Sequence, residues 1–174
     1  MDRYRALIAA VWLWIALPPA HAGLDDLDFS CVAKKFDQTT KLSSGGGDAN
    51  VTKEQWGYEV TIENKAFKDL TGLEIKYITF YKTEQLGFKA APVLRHKDGT
   101  SKIDTIKGHE KAEFHTDAIE LKKSSLAGGY TYADGAKISV QDALAGLWIR
   151  VYQNGAQIAE FAKPTSLTTK EKWQ

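Results

Sequence analysis

The sequence predicts an all-β fold, an antiparallel sandwich of about seven or eight strands. Three observations carry that expectation. Apolar residues recur with period two: Trp56, Tyr58, Val60 and Ile62 alternate with Gly57, Glu59, Thr61 and Glu63. Asn154-Gly155 separates two β-rich runs and supplies the positive φ angles of a type I′ hairpin turn. Turn residues punctuate the remaining runs at irregular intervals, which favours a sandwich over an up-and-down barrel of even loops.

Taken in order, Leu27 to Phe36 reads as the first strand. Lys41 to Asp48, with Gly45-Gly46-Gly47, reads as a flexible loop, because nothing in it can be buried. The Trp56–Glu63 strand follows, and Asn64, Asp69 and Gly72 mark the turn after it. Leu73 to Lys82 carries bulky residues on both faces, as in a central strand or one with a covered outer face. Lys97-Asp98-Gly99-Thr100 predicts a second hairpin, joining Pro92–His96 to Ser101–Ile106. Lys111 to Ile119 reads as a strand after a Lys107-Gly108 turn. Ser124 to Ala136 is irregular, and Val140 to Ala145 fits a single helical turn with Asp142 near its start. Leu147–Tyr152 and Ala156–Ala162 form the Asn-Gly hairpin. In the tail, Ser166 to Thr169 offers the cap of a short helix that would lay Trp173 on the domain; a frayed end fits the same residues.

The first 22 residues form a separate unit with the layout of a secretory signal peptide. Arg3 and Arg5 precede an apolar run from Ala6 to Leu17, and Pro18-Pro19 leads to the small-x-small site Ala20-His21-Ala22. The run is shorter than the roughly 20 residues a membrane helix needs. Cleavage after Ala22 predicts a mature chain from Gly23 that is secreted or periplasmic, with no membrane span. The division is then a signal peptide over 1–22, a sandwich domain over 23–163 and a tail over 164–174.

The mature chain has 152 residues, with 21 basic and 21 acidic side chains. A balanced chain offers no global field to draw nucleic acid or anionic lipid. Lys122-Lys123 and the Lys163 to Lys172 tail read as solvated surface. Cys31 is the only cysteine, so no intrachain disulfide forms. Its place in an apolar-alternating segment predicts burial. A lipid-bearing cysteine would follow the apolar run directly, whereas Gly23-Leu24-Asp25-Asp26 and more intervene here.

Three stretches also resemble the broad immunoglobulin-like sandwiches of secreted bacterial proteins. They are Tyr58-Glu59-Val60-Thr61-Ile62-Glu63-Asn64, Leu73-Glu74-Ile75-Lys76-Tyr77-Ile78-Thr79-Phe80-Tyr81 and Ile106-Lys107-Gly108-His109-Glu110-Lys111-Ala112-Glu113-Phe114. The resemblance covers roughly residues 27–163 and implies an immunoglobulin-like sandwich. The chain lacks the paired cysteines of antibody domains, and the resemblance transfers no functional residues.

No catalytic motif stands out. His96, His109 and His115 match no compact metal signature, although His109 and His115 would approach each other if they lay across adjacent strand ends. There is no Gly-x-Ser-x-Gly elbow, and Gly45-Gly46-Gly47 lacks the strand and Lys-Ser/Thr helix start of a phosphate loop. Asp104, Glu113, Asp117 and Glu120 are spread over several strands, and no loop has the acidic density of a calcium site.

The constellation that invites a functional reading is aromatic. Leu147, Ile149 and Val151 suit the core, which turns Trp148, Arg150 and Tyr152 outward. If Ile78 and Phe80 also face the core, Tyr77, Thr79 and Tyr81 point outward. Neighbouring strands would then share an outer face of Tyr77, Tyr81, Trp148, Arg150 and Tyr152. Aromatic rings and Arg are common interface anchors, and flat rings stack on sugars. The favoured expectation is an exported, non-catalytic module that binds a protein partner or serves as an accessory envelope component. It needs no cofactor or metal. The alternative is a carbohydrate-binding module on the same face. A small hydrolase or metal protein around His109 and His115 ranks behind both.

Overall fold

A computed structural model describes residues 26–42, 49–126 and 131–173; side chains are described outside 38–42. The signal segment 1–22, the glycine run 45–47 and Gly128-Gly129 lie outside the described residues. Nine strands run β1 (Leu27–Leu42), β2 (Ala49–Asn64), β3 (Leu70–Thr83), β4 (Val93–Ile106), β5 (Lys111–His115), β6 (Ile119–Leu126), β7 (Ser139–Gln141), β8 (Ala143–Gln153) and β9 (Ala156–Lys163). One short helix, α1 (Leu167–Lys170), follows. All pairings are antiparallel. Sheet A has the order β1-β2-β6-β7, with β5 also paired to β2. Sheet B has the order β4-β3-β8-β9.

The inward parity of each sheet builds the core. Val60 and Ile62 of β2, Cys31 of β1 and Phe114 of β5 meet Leu73, Ile75 and Tyr77 of β3 and Leu147, Ile149 and Val151 of β8. Each such side chain contributes about 1.5–3 kcal/mol relative to an exposed one. The Asn154-Gly155 hairpin forms as expected, with φ of 52° and 79°. Cys31 is a free, buried thiol, as its alternating context predicts.

Several boundaries differ from expectation. β1 extends past Phe36 to Leu42, because Asp37–Leu42 pairs in register with Asn50–Gln55. That backbone ladder leaves no apolar signature. The predicted hairpin at Lys97–Thr100 is absent, since β4 runs straight through it against the equally long β3. Gly99 lies opposite Tyr77, and a Cβ at Gly99 would collide with the Tyr77 ring. The Lys111–Ile119 strand is split in two. Thr116 leaves the ladder there, and its Oγ1 accepts the Tyr58 N–H at 2.8 Å. The Tyr77 hydroxyl accepts the Asp117 N–H at 3.0 Å, tying sheet B to that break in sheet A.

The expected helical turn at Val140–Ala145 is instead the crossing from β7 in sheet A to β8 in sheet B. The buried Asp142 stabilises this crossing. Its carboxylate accepts the Glu84 N–H at 2.9 Å and the Lys122 N–H at 3.0 Å. Those bonds satisfy backbone donors beyond the strand pairings.

One core group sets an alkaline limit. Burial pushes the Tyr58 phenol up to about 12, with a smaller push from the neighbouring Cys31 thiolate. The unfolded chain ionises Tyr58 near pH 10, so it binds fewer protons than the native state above that pH. The stability this group contributes is therefore complete below about pH 10 and is lost as pH rises to about 12. Urea midpoints should fall across that window in the native protein and fall less in Tyr58→Phe. Equal slopes in both would remove Tyr58 as the cause.

Candidate functional site

The outer face of sheet B is built in cross-strand rows. The first row is Asp98, Ile78, Trp148 and Ala162, from β4, β3, β8 and β9 in turn. The next is Thr100, Lys76, Arg150 and Glu160, and the third is Lys102, Glu74, Tyr152 and Gln157. A row that is apolar except at Asp98 thus borders two rows of charged and polar residues, the outer of which carries Tyr152.

The tail covers the apolar row. Leu167 of α1 and Trp173 pack on Ile78, Phe80, Trp148 and Ala162. Trp173 meets Trp148 edge to face, with centroids 5.1 Å apart. The Arg150 guanidinium lies 4.3 Å from the Trp173 centroid and 5.2 Å from that of Trp148. Glu160 Oε1 accepts from Arg150 Nε at 2.7 Å and from Trp148 Nε1 at 3.0 Å. One carboxylate therefore fixes both the cation and the indole beneath it. Lys76 Nζ stands 5.0 Å from the Tyr152 ring centroid.

The predicted five-residue aromatic face is thereby corrected. Trp148, Arg150 and Tyr152 do share the outer face. Tyr77 does not: it is 3% exposed and belongs to the core between the sheets. Tyr81 has the strand parity of Tyr77, pairs with Leu144 beyond a β-bulge and is half-buried. The outward residues of β3 are Lys76, Ile78 and Phe80. Parity on β3 is inverted because both of its faces are apolar, and the C-terminal tail covers the second. Trp148 is only 3% exposed and offers no free ring face. Glu160, Lys76 and Trp173 complete the site. Glu160 and Lys76 were legible only once the strand register was known; Trp173 was legible as a tail residue that could fold back.

Two shallow grooves flank this ledge, each of about 390 Å³. Trp173, Lys76, Ile78 and Asp98 line one. Tyr152, Glu74, Lys102 and Asp104 line the other.

The histidines lie apart. His96 sits beside Phe80, His109 against Phe67, and His115 beside Phe36 with Nε2 3.0 Å from Glu59. His109 and His115 flank the two ends of β5 and do not approach each other. Among the described residues, no group of three or more His, Cys, Asp or Glu side chains is placed to hold a metal ion. Among the same residues, no helix is long and apolar enough to cross a membrane.

No family model matches the chain, and no curated protein matches it. Among solved structures it is similar, at 12% identity and a TM-score of 0.37, to the X-ray structure of Northeast Structural Genomics Consortium target SoR45. That likeness spans 87% of this chain and 97% of the other, at a level that carries neither fold nor function.

Proposed function

We propose that this chain is an exported, non-catalytic β-sandwich module that binds a protein partner through the outer face of sheet B. One observation carries the reading: the Arg150 guanidinium is held between Trp173 and Glu160 on the outside of a rigid sheet, beside two open grooves. A prearranged cation on an aromatic platform makes an interface anchor at low ordering cost. The signal-like segment over 1–22 supports export to the periplasm or cell exterior. Strand order supports an immunoglobulin-like relationship. The third and fourth strands share a sheet with the last two, and the second pairs with both the first and the fifth, as in such sandwiches.

Sugar stacking needs free ring faces, and Trp148 has none, so protein binding is favoured over carbohydrate. The test is capture from envelope and secreted fractions by the native protein and by Lys76→Glu and Tyr152→Ala variants. Both changes lie at the rim of the ledge and leave the core intact. A partner retained by the native protein and lost from both variants is the expected result. Equal capture by all three proteins, or binding to a glycan panel instead, would overturn the proposal.

A further inference from the structure

We propose that two copies of this chain pair edge to edge through β4, joining their four-stranded sheets B into one continuous antiparallel sheet about a two-fold axis at Thr100. The starting observation is the edge itself. β4 ends sheet B and, among the described residues, pairs with β3 alone. Its 14 residues keep one constant register with β3, and the side chains from Val93 to Asp98 are exposed. One row of its backbone N–H and C=O groups therefore faces away from β3, which makes it a template for another strand.

The other edges are guarded. β1 is bulged between Lys35 and Asp37, and Lys163 Nζ donates to its Cys31 carbonyl at 3.0 Å. β9 is bulged where it pairs with Val151 and Tyr152, and its Phe161 ring stacks on Phe29 of β1, bringing these two edges together. β5 and β7 are only five and three residues long. Bulges, short strands and covering side chains are the usual protections of an edge. β4 carries charges in their place.

The order of those charges selects a second copy as the occupant. On the outer face β4 presents His96, Asp98, Thr100, Lys102 and Asp104 in turn. A two-fold axis through Thr100, perpendicular to the sheet, reverses that order in the second copy and keeps the two outer faces in common. Asp98 then meets Lys102 of the second copy, and Lys102 meets Asp98. His96 and Asp104 meet in the same reciprocal way, and Thr100 meets itself. Opposite charges directly across a strand pair are stabilising, and like charges there are destabilising. On the inner parity Arg95 meets Thr105, Lys97 meets Ile103 and Gly99 meets Ser101, so no like charges oppose each other. Arg95 and Lys97 are moreover turned to their own chain: Arg95 Nε donates to Thr83 Oγ1 at 3.2 Å, and Lys97 Nζ to the Ala118 carbonyl at 3.0 Å.

Neighbouring registers lack this match. A slip of one residue pairs outer with inner side chains. A slip of two one way sets Asp98 against Asp104. A slip of two the other way sets His96 against Lys102 and leaves both aspartates without a cation. Nor are these charges satisfied within the chain. Asp98 lies opposite Ile78 on β3, and none of Asp98, Lys102 and Asp104 joins an ion pair among the described residues. The contact is isologous, so it closes at a dimer.

Sedimentation velocity over a wide concentration range, with amide hydrogen exchange at low and high concentration, tests this. The expected result is a sedimentation coefficient that rises from the monomer toward the dimer value and stops there, with slowed exchange along β4. Asp98→Lys and Lys102→Asp, both at exposed positions, should each abolish the rise, because each sets like charges opposite one another twice. Mixing the two variants should restore the dimer, since every like-charge contact then becomes an opposite one. A native protein that stays monomeric throughout would overturn the proposal. So would a dimer that survives either single change, a mixture that fails to pair, or a dimer without slowed exchange along β4. A monomer whose β4 amides are protected only when a foreign protein is added would overturn it too, assigning the edge to another chain's strand. Neither substitution touches Lys76 or Tyr152, so the partner-binding reading stands or falls separately.

Discussion

Replacing Trp148 by alanine is expected to destabilise the protein by about 3–5 kcal/mol, the range for an aromatic removed from a packed interior. The indole is 3% exposed and sits among Ile78, Phe80, Ala162, Leu167 and Trp173 on the outside of sheet B. Its loss opens a cavity beneath a helix of only four residues, which cannot hold itself together by propensity. Trp173 and α1 should detach as a unit, and Glu160 should lose one of its two donors. Urea unfolding would show the midpoint shift, and near-ultraviolet circular dichroism would show loss of the Trp148–Trp173 signal. A shift below about 1 kcal/mol would show that the tail does not seal this face in solution. The same packing rules out Trp148→Ala as a clean probe of partner binding, since it damages the fold together with the surface.

Asn64→Leu is expected to cost about 3 kcal/mol, although it adds apolar volume at a buried position. The Asn64 amide is shared among the Lys68, Ile106 and Lys107 carbonyls, 2.8–3.2 Å away, and Oδ1 accepts the Ala66 N–H at 3.1 Å. Leucine strands those groups, and a buried group left without its partner costs about 1–3 kcal/mol. The damage should be concentrated in the two turns. Hydrogen exchange should accelerate at Ala66 and Gly108 before it does in the β3–β8 ladder. Uniform acceleration across both sheets would argue that Asn64 supports the whole core rather than these turns.

The contrast between β8 and β3 shows what could be read from the residues alone. On β8, Leu147, Ile149 and Val151 alternate with residues that include Arg150, so one parity is plainly the core. That assignment holds. On β3, Ile75 and Tyr77 compete with Ile78 and Phe80, and both sets are buried. Alternation carries no information when each face has a cover. The missing fact was tertiary: Leu167 and Trp173 lie on Ile78 and Phe80. Three of the five residues assigned to the outer face therefore lie there, while Tyr77 and Tyr81 have the opposite parity.

Turn chemistry divides in the same way. Asn154-Gly155 makes its hairpin because both positions adopt positive φ and the flanking strands pair with each other. Asp98-Gly99 has the same local character, yet β3 offers a continuous partner through it and the Tyr77 ring occupies the space above Gly99. Local preference loses where a long partner strand supplies hydrogen bonds on both sides of the glycine. The all-β class, the antiparallel hairpin at Asn154-Gly155, the core face of β8 and the burial of Cys31 were legible in the residues alone. These follow from period, turn residues and composition, which are local properties. The crossing between sheets at Asp142, the face presented by β3 and the Arg150–Trp173–Glu160 ledge came from tertiary packing. Each depends on which distant segment comes to rest against a side chain, and no local pattern encodes that.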